Sequence, residues 1–158
     1  MSARKETQEP IYLVIHHTDI LGKDEQAQVV DKSHQRRGYP PSAIVNPATG
    51  TGWHIAYHYL IGRDGTVLQT RPHDERTQHT SCGLGLEKCL AIPFVNDKSL
   101  AIVLAGDFAT EQPTKQQLHS LRKLTGELDG KYKFHAIMTH RDVSPTSCPG
   151  DNLVNAIK

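Results

Sequence analysis

The last part of the chain holds two residue types that bind metal ions, separated by a short loop. His140 ends an apolar segment, a loop rich in Ser and Pro follows, and Cys148 comes eight residues later beside a Pro-Gly turn. An imidazole and a thiolate at the two ends of one tight loop make half of a zinc site. A catalytic zinc ion takes three protein ligands and keeps a fourth position open for water, so one more donor is needed.

The best third donor lies far upstream, where a β-branched apolar run leads into His16 and His17. Consecutive side chains of a strand point to opposite faces, so only one of the two can face the site easily, and the spacing alone does not say which. Asp19 or Asp142 can orient a ligating ring by accepting a hydrogen bond from its second nitrogen. If the two histidine-bearing segments are neighbouring strands, the chain is a zinc hydrolase.

Strands separated by helices must position these residues. The predicted strands cover residues 11–16, 57–61, 66–70, 99–105 and 134–139. The predicted helices cover about residues 24–37, a segment from Thr114 through Leu128, and residues 151–157. Asp64-Gly65 is a strong hairpin signal, and Thr114 with Gln117 fits a capping box. The alternation predicts a mixed α/β layer fold, in which residues 72–98, with few regular patterns, form a long functional loop.

The size and charge of the chain describe one compact domain. A length of 158 residues allows a hydrophobic core and leaves little room for a second domain. We expect residues 1–9 to form a flexible N-terminus and residues 10–158 the folded domain, present as a monomer. The formal net charge of +1 gives no electrostatic case for nucleic acid as a partner. No stretch approaches the roughly 18 to 20 apolar residues of a membrane span, so we expect no membrane association.

The cysteines and the N-terminal residues indicate in which cellular compartment the chain is made. The polar first nine residues lack the apolar core of a secretory signal, which predicts that the chain is cytoplasmic on synthesis. Three cysteines cannot complete a disulfide framework. Cys82 and Cys89 can pair, but two reduced thiols suit a reducing compartment better.

Four motifs together resemble a known family. They appear in order along the chain as Val14–Thr18, Ala56–Val67, Ser99–Gly106 and His140–Gly150. Each motif is weak alone, but four in order with matching gaps resemble the type 2 N-acetylmuramoyl-L-alanine amidases. That family includes the phage lysozyme-type endolysins and the animal peptidoglycan recognition proteins. The resemblance covers roughly residues 11–157.

The resemblance implies a fold and a catalytic centre. The expected fold is a central mixed sheet flanked by helices, with a zinc ion (Zn²⁺) in an open cleft. The implied ligands are His16, His140 and Cys148 with one water, and His17 is then a neighbour that points away. Tyr57 matches a tyrosine that lines the cleft in related amidases, where it positions water or stabilises the tetrahedral intermediate; its alternative is a packed strand aromatic.

Two positions place the chain within the family. Thr146 occupies a position where lysozyme-type phage enzymes carry lysine and where recognition proteins that retain activity carry threonine. A hydroxyl there can donate to an oxyanion without adding charge, although Thr146 can also be a simple loop residue. The cytosolic recycling amidases, which cleave anhydromuropeptides, have a glutamate at the position of Val103 and an aspartate as third ligand. Val103 and Cys148 therefore disfavour that branch.

The implied substrate is the amide between N-acetylmuramic acid and L-alanine in peptidoglycan or a muropeptide. The candidate binding residues are His34, Trp53, Arg71 and His79, of which His79 resembles a groove histidine. Trp53 has a buried-anchor alternative, and Arg71 can instead form a salt bridge with Asp74 or Glu75. Three functions remain open: a bacteriolytic amidase that acts on the cell wall when released as an endolysin, a non-catalytic peptidoglycan-binding module, and a regulatory binding role.

Overall fold

The computed structural model describes residues 4–22, 25–80, 92 and 94–158; Cys82 and Cys89, and their possible pairing, lie outside these residues. The strands are β1 Arg4–Lys5, β2 Tyr12–His17, β3 Tyr59–Ile61, β4 Val67–Gln69, β5 Glu75–Arg76, β6 Ser99–Leu104 and β7 Ala136–Thr139. The helices are α1 Ala27–Arg36, α2 Val95–Lys98, α3 Lys115–Tyr132, α4 His140–Val143 and α5 Asp151–Ile157.

A five-stranded sheet in the order β4-β3-β6-β2-β7 forms the centre of the molecule. β2 pairs in parallel with both β6 and β7, β3 pairs in parallel with β6, and β4 pairs with β3 in antiparallel fashion. The sheet is therefore mixed, and the predicted mixed α/β fold with a central sheet and flanking helices is confirmed. The hairpin predicted at Asp64-Gly65 is β3–β4, and Gly65 adopts the positive φ of 87° that such a turn requires.

The two faces of the sheet carry separate apolar clusters. Leu13, Ile15 and Ile102 face α3 and pack in one cluster with its leucines. Val103 faces the other way, in a cluster with Val30 of α1. Because alternate side chains of a strand point to opposite faces, this pattern puts His17 on the α3 side with Ile15 and puts His16 on the opposite side.

Helix α3 covers one face of the sheet because its leucines recur at helical spacing. Leu121, Leu124 and Leu128 are buried against the sheet, each contributing about 1.5–3 kcal/mol if fully buried. Both hydrogen bonds of the predicted capping box form: Gln117 N–H donates to Thr114 Oγ1, and Thr114 N–H donates to Gln117 Oε1, each at 3.0 Å. The helix therefore begins where its sequence predicts.

The structure differs from the predicted elements in four short segments. The prediction of one long loop over residues 72–98 is wrong at β5 and α2, since elements of two and four residues leave no periodicity to detect. Helix α4 begins directly after β7, where only a loop was expected. β1 lies within residues 1–9, the segment predicted to be flexible, and it pairs with β5. The division of the chain at residue 9 stays a prediction. No helix in the described part of the chain is long and apolar enough to cross a membrane.

Candidate metal centre

The strands β2 and β7 bring His16 and His140 together. Ile15 pairs with Thr139 in the parallel ladder, so each histidine follows a paired residue at the same edge of the sheet. Their ring centroids lie 4.6 Å apart. His16 is fully buried and His140 is half-buried.

Backbone hydrogen bonds fold the loop after β7 so that Cys148 returns to the same place. Arg141 N–H donates to the Cys148 carbonyl at 3.0 Å, and Cys148 N–H donates to Thr146 Oγ1 at 3.2 Å. The Cys148 Sγ lies 3.9 Å from His16 Nδ1 and accepts the backbone N–H of His17 at 3.4 Å. Gly150 ends the loop with a φ of 89°, and a Cβ there would lie 2.3 Å from the carbonyl carbon of Phe108. Only glycine fits this approach.

The donor atoms of His16, His140 and Cys148 all lie within 4.8 Å of one another. Two imidazoles and one thiolate are a ligand set that zinc prefers, and three protein ligands leave the open position of a catalytic site. The buried His140 Nε2 has no hydrogen-bond partner among the described residues. A buried polar atom without a partner is costly, and a bound cation would satisfy it, so these residues fit a zinc ion.

The surroundings set the protonation of the three groups. Burial lowers the pKa of His140 to about 4. Burial, and then the neighbouring His79 and His140, hold the pKa of His16 well below its usual value. Both rings are therefore neutral near pH 7, which metal binding requires. Burial raises the pKa of the Cys148 thiol to about 12, so the thiolate forms only when a cation offsets the loss of solvation.

His79 forms a hydrogen bond with Nε2 of His16, the ring nitrogen that does not face Cys148. His79 Nδ1 lies 3.0 Å from His16 Nε2, and His79 Nε2 lies 2.8 Å from Ser99 Oγ. His79 is only 5% exposed, and its contacts favour a role in orienting the His16 ring. Its predicted contact with substrate stays a prediction. Sequence reasoning missed Ser99. Its one signal is a polar residue that opens an otherwise apolar strand.

Tyr57 and Thr146 both lie next to the cluster. The Tyr57 ring packs against His16 with centroids 4.8 Å apart. Burial raises the pKa of the Tyr57 hydroxyl above its usual value, so it stays protonated near pH 7. Thr146 is exposed on the loop, and its Oγ1 accepts the N–H of Cys148. The catalytic roles of both hydroxyls stay predictions.

The other three residues predicted to bind substrate are largely buried. Arg71 is fully buried and donates to the Ile55 and Pro40 carbonyls at 2.6 Å each; it also pairs with Glu75 at 3.2 Å. These contacts favour the salt-bridge alternative.

Trp53 is 2% exposed and packs in the same apolar cluster as Val30 and Val103, which favours the buried-anchor alternative. His34 Nδ1 accepts the Ala56 N–H at 3.0 Å, and its ring stacks on Tyr39 and lies 5.6 Å from Tyr57. His34 therefore makes a direct ring contact with the predicted catalytic residue Tyr57.

A second group of donor atoms lies on the other side of β2. His17, Asp19 and Asp107 also have ligand atoms within 4.8 Å of one another. However, His17 Nδ1 accepts the Phe108 N–H at 3.2 Å, so a neutral His17 carries its proton on Nε2. That nitrogen lies 3.9 Å from an Asp19 oxygen. Neither nitrogen of His17 offers a free lone pair, and this group does not form a metal site in this arrangement.

Known proteins share both the sequence pattern and the fold. The sequence profile described as N-acetylmuramoyl-L-alanine amidase matches residues 6–151. Peptidoglycan-recognition protein LB of Drosophila melanogaster is 36% identical over 109 residues, which are 65% of this chain and 40% of that protein. The endolysin of Enterobacteria phage K11 is 33% identical over 113 residues, 68% of this chain and 67% of the endolysin. The match thus spans less than half of the recognition protein.

A solved structure agrees with these matches. N-acetylmuramoyl-L-alanine amidase LysC from Clostridium intestinale URNW superposes with a TM-score of 0.68 and 31% identity, over 91% of this chain and 78% of that one. The profile match covers the five-stranded sheet, the loop after β7 and all three clustered donors. The chain belongs to the N-acetylmuramoyl-L-alanine amidase family.

Proposed function

We propose that the protein is a zinc-dependent N-acetylmuramoyl-L-alanine amidase that hydrolyses the amide between N-acetylmuramic acid and L-alanine in peptidoglycan, in a bacteriolytic, endolysin-type role. One observation carries the proposal: His16, His140 and Cys148 converge, and the buried His140 Nε2 has no partner in the described parts of the chain. Family membership supports an activity on peptidoglycan or binding to it.

The residues around the cluster have distinct tasks in this mechanism. A bound zinc ion lowers the pKa of water toward about 7 and polarises the scissile carbonyl. His16 and His140 would hold it as neutral imidazoles and Cys148 as a thiolate. The backbone N–H of His17 donates to the Cys148 sulfur and favours its anionic form.

The tetrahedral intermediate needs hydrogen-bond donors, because charge develops on the former carbonyl oxygen. The protonated Tyr57 hydroxyl, on a ring packed against His16, is the first such donor. Thr146 is the second: its Oγ1 accepts the Cys148 N–H, so its own proton is available to the oxyanion. His34, packed against Tyr57 and Tyr39, would hold the Tyr57 ring in place.

A second candidate is a peptidoglycan-binding module without activity, since one of the relatives is a peptidoglycan-recognition protein. Cys148 weighs against this candidate. A thiol buried next to two neutral imidazoles serves no purpose in sugar or peptide binding, while it completes a zinc ligand set. A muropeptide-recycling amidase is a further alternative, which Val103 and Cys148 disfavour.

A peptidoglycan digestion separates these candidates. Zinc-loaded protein is incubated with purified peptidoglycan, with a chelator, and with the chelator followed by added zinc, and new L-alanine amino termini are measured. We expect release that the chelator abolishes and zinc restores. No release together with co-sedimentation on peptidoglycan would identify a binding module, and cleavage of soluble anhydromuropeptides alone would identify a recycling enzyme.

A further inference from the structure

We infer that Ser99 and His79 form a positioning relay that fixes the protonated nitrogen of His16, so that its Nδ1 is the nitrogen offered to the metal. The inference rests on the proposed zinc site. It assigns a task to Ser99, a residue remote in sequence from all three ligands, and it gives His79 a task other than substrate binding.

The relay begins at a backbone carbonyl, which can only accept. Ser99 Oγ donates its single proton to the Val95 carbonyl oxygen at 2.6 Å. Towards His79 the same oxygen must therefore act as acceptor. His79 Nε2, 2.8 Å away, is consequently the protonated nitrogen of that ring.

The proton on His79 Nε2 determines the state of His16. A neutral imidazole has one N–H, so His79 Nδ1 carries a lone pair and accepts. Its neighbour at 3.0 Å, His16 Nε2, is therefore the donor. His16 Nδ1 is left with a lone pair, and it is this nitrogen that lies 3.9 Å from Cys148 Sγ. One hydroxyl thus selects the ligating nitrogen two rings away.

Burial of the three residues stabilises this choice of tautomers. Ser99 and His16 are fully buried and His79 is 5% exposed, so water does not compete for these hydrogen bonds. The relay also lies within rigid structure, since Ser99 opens β6 and pairs with Tyr12 of β2, the strand that carries His16. Reversing one ring would bring two N–H groups or two lone pairs together at a buried contact, which is unfavourable.

Two readouts test the relay without an activity assay. Long-range proton–nitrogen NMR on the metal-free protein reports which ring nitrogen of each histidine is protonated. Chelator competition gives the Kd for zinc. The variants are Ser99→Ala, which removes the acceptor for His79, and Ser99→Thr, which keeps a hydroxyl. The matched control is Ser42→Ala, which removes another buried hydroxyl bonded to a backbone carbonyl, that of Thr70 at 2.7 Å.

We expect Nε2–H tautomers at His16 and His79 in the wild type. Ser99→Ala should lose the tautomer preference at His79 and weaken zinc binding about tenfold, the low end for partners outside the ligand set. Ser99→Thr should restore both, and Ser42→Ala should leave the Kd unchanged. An Nδ1–H tautomer at His16, an unchanged Kd in Ser99→Ala, or equal weakening in Ser42→Ala would overturn the relay. A wild type that binds no zinc would instead overturn the proposed function, and the NMR result would still judge the relay.

Discussion

Adjacent residues on β2 face two groups of donor atoms that look alike by distance alone. His16 lies with His140 and Cys148, and His17 lies with two carboxylates, and in both groups the ligand atoms approach within 4.8 Å. They differ in whether the imidazole has a nitrogen lone pair available for a metal ion. His16 gives Nε2 to His79 and keeps Nδ1 towards the thiol, whereas His17 accepts the Phe108 N–H on Nδ1 and presents a proton on Nε2.

The comparison shows that proximity of donors is not enough for a metal site. A ligating histidine needs its second nitrogen bonded as a donor, so that the first is left as a lone pair. His16 meets this condition and His17 does the reverse. Strand alternation, which separates the two rings onto opposite faces, makes it possible for neighbours in sequence to have opposite roles.

The largest effect should follow loss of a donor from the first group. In Cys148→Ser we expect zinc affinity to fall by on the order of 10²-fold or more, because one of the three protein ligands is removed. Peptidoglycan cleavage should fall with it, while the fold remains. Chelator competition, L-alanine release and thermal unfolding provide the measurements; normal cleavage by this variant would show that the ligand set is wrong.

The next effect concerns the aromatic neighbour of each group. Tyr57 packs against His16 and carries a hydroxyl, while Phe108 packs near His17 and carries none. Tyr57→Phe should lower kcat by about 10²- to 10³-fold, the usual effect of removing an oxyanion donor, and should leave the Kd for zinc unchanged. Steady-state kinetics on a soluble muropeptide and chelator competition test this, and an unchanged kcat would exclude the hydroxyl from catalysis.

Replacing His17 should cost stability more than activity. His17→Ala keeps the backbone N–H that reaches Cys148, so we expect less than a tenfold loss of zinc affinity. The buried Phe108 N–H loses its acceptor, which should lower the free energy of unfolding by about 1–3 kcal/mol. His16→Ala is the matched comparison and should lose zinc. If His17→Ala is the variant that loses zinc, the two roles are reversed.

The smallest effect is a change in how the free energy of unfolding depends on pH. Both nitrogens of the fully buried His58 are bonded, Nδ1 to the Ala101 N–H and Nε2 to the Glu75 carbonyl, and burial lowers its pKa to about 3. A lowered folded-state pKa means that this stabilisation is present above the unfolded pKa of about 6.5 and is lost as the pH falls toward 3. Each such histidine should remove about 1.4 kcal/mol per pH unit in that window.

Denaturant unfolding of the wild type and His58→Gln between pH 4 and pH 6 measures this slope. His58→Gln should be less stable than the wild type at pH 7. As the pH falls, its free energy of unfolding should decrease less steeply, by about 1.4 kcal/mol per pH unit. His119→Gln, on the exposed face of α3, controls for the substitution. An equal slope in the wild type and His58→Gln would mean that His58 takes up its proton without unfolding.

Local patterns predict most of the fold. β2, β6 and α3 follow from apolar runs and a capping box, because burial and helix initiation depend on residues close in sequence. β5 and α2 are too short to leave a pattern. Residue types and spacing point to His140, Cys148 and one of the pair His16 and His17, and family resemblance selects His16. The structure clusters these three residues, while their role as ligands stays a prediction.

The partners of His16 could not be predicted in the same way. His79 lies 63 positions from His16, and no local pattern links the two. The same holds for Arg71, whose contacts with Ile55, Pro40 and Glu75 follow from the packing of separate loops. Long-range polar contacts depend on the completed fold, so composition and periodicity do not reveal them.

Two of the candidate ligands lie far apart in the sequence. His16 and Cys148 are 132 positions apart, and their approach closes the segment between them into one long loop. An ion held by both would act as a cross-link, which reduces the freedom of the unfolded chain most when the closed loop is long. The zinc ion of the proposed mechanism would thereby also hold the first strand of the central sheet to the loop that follows β7, and it would oppose unfolding of the segment between them.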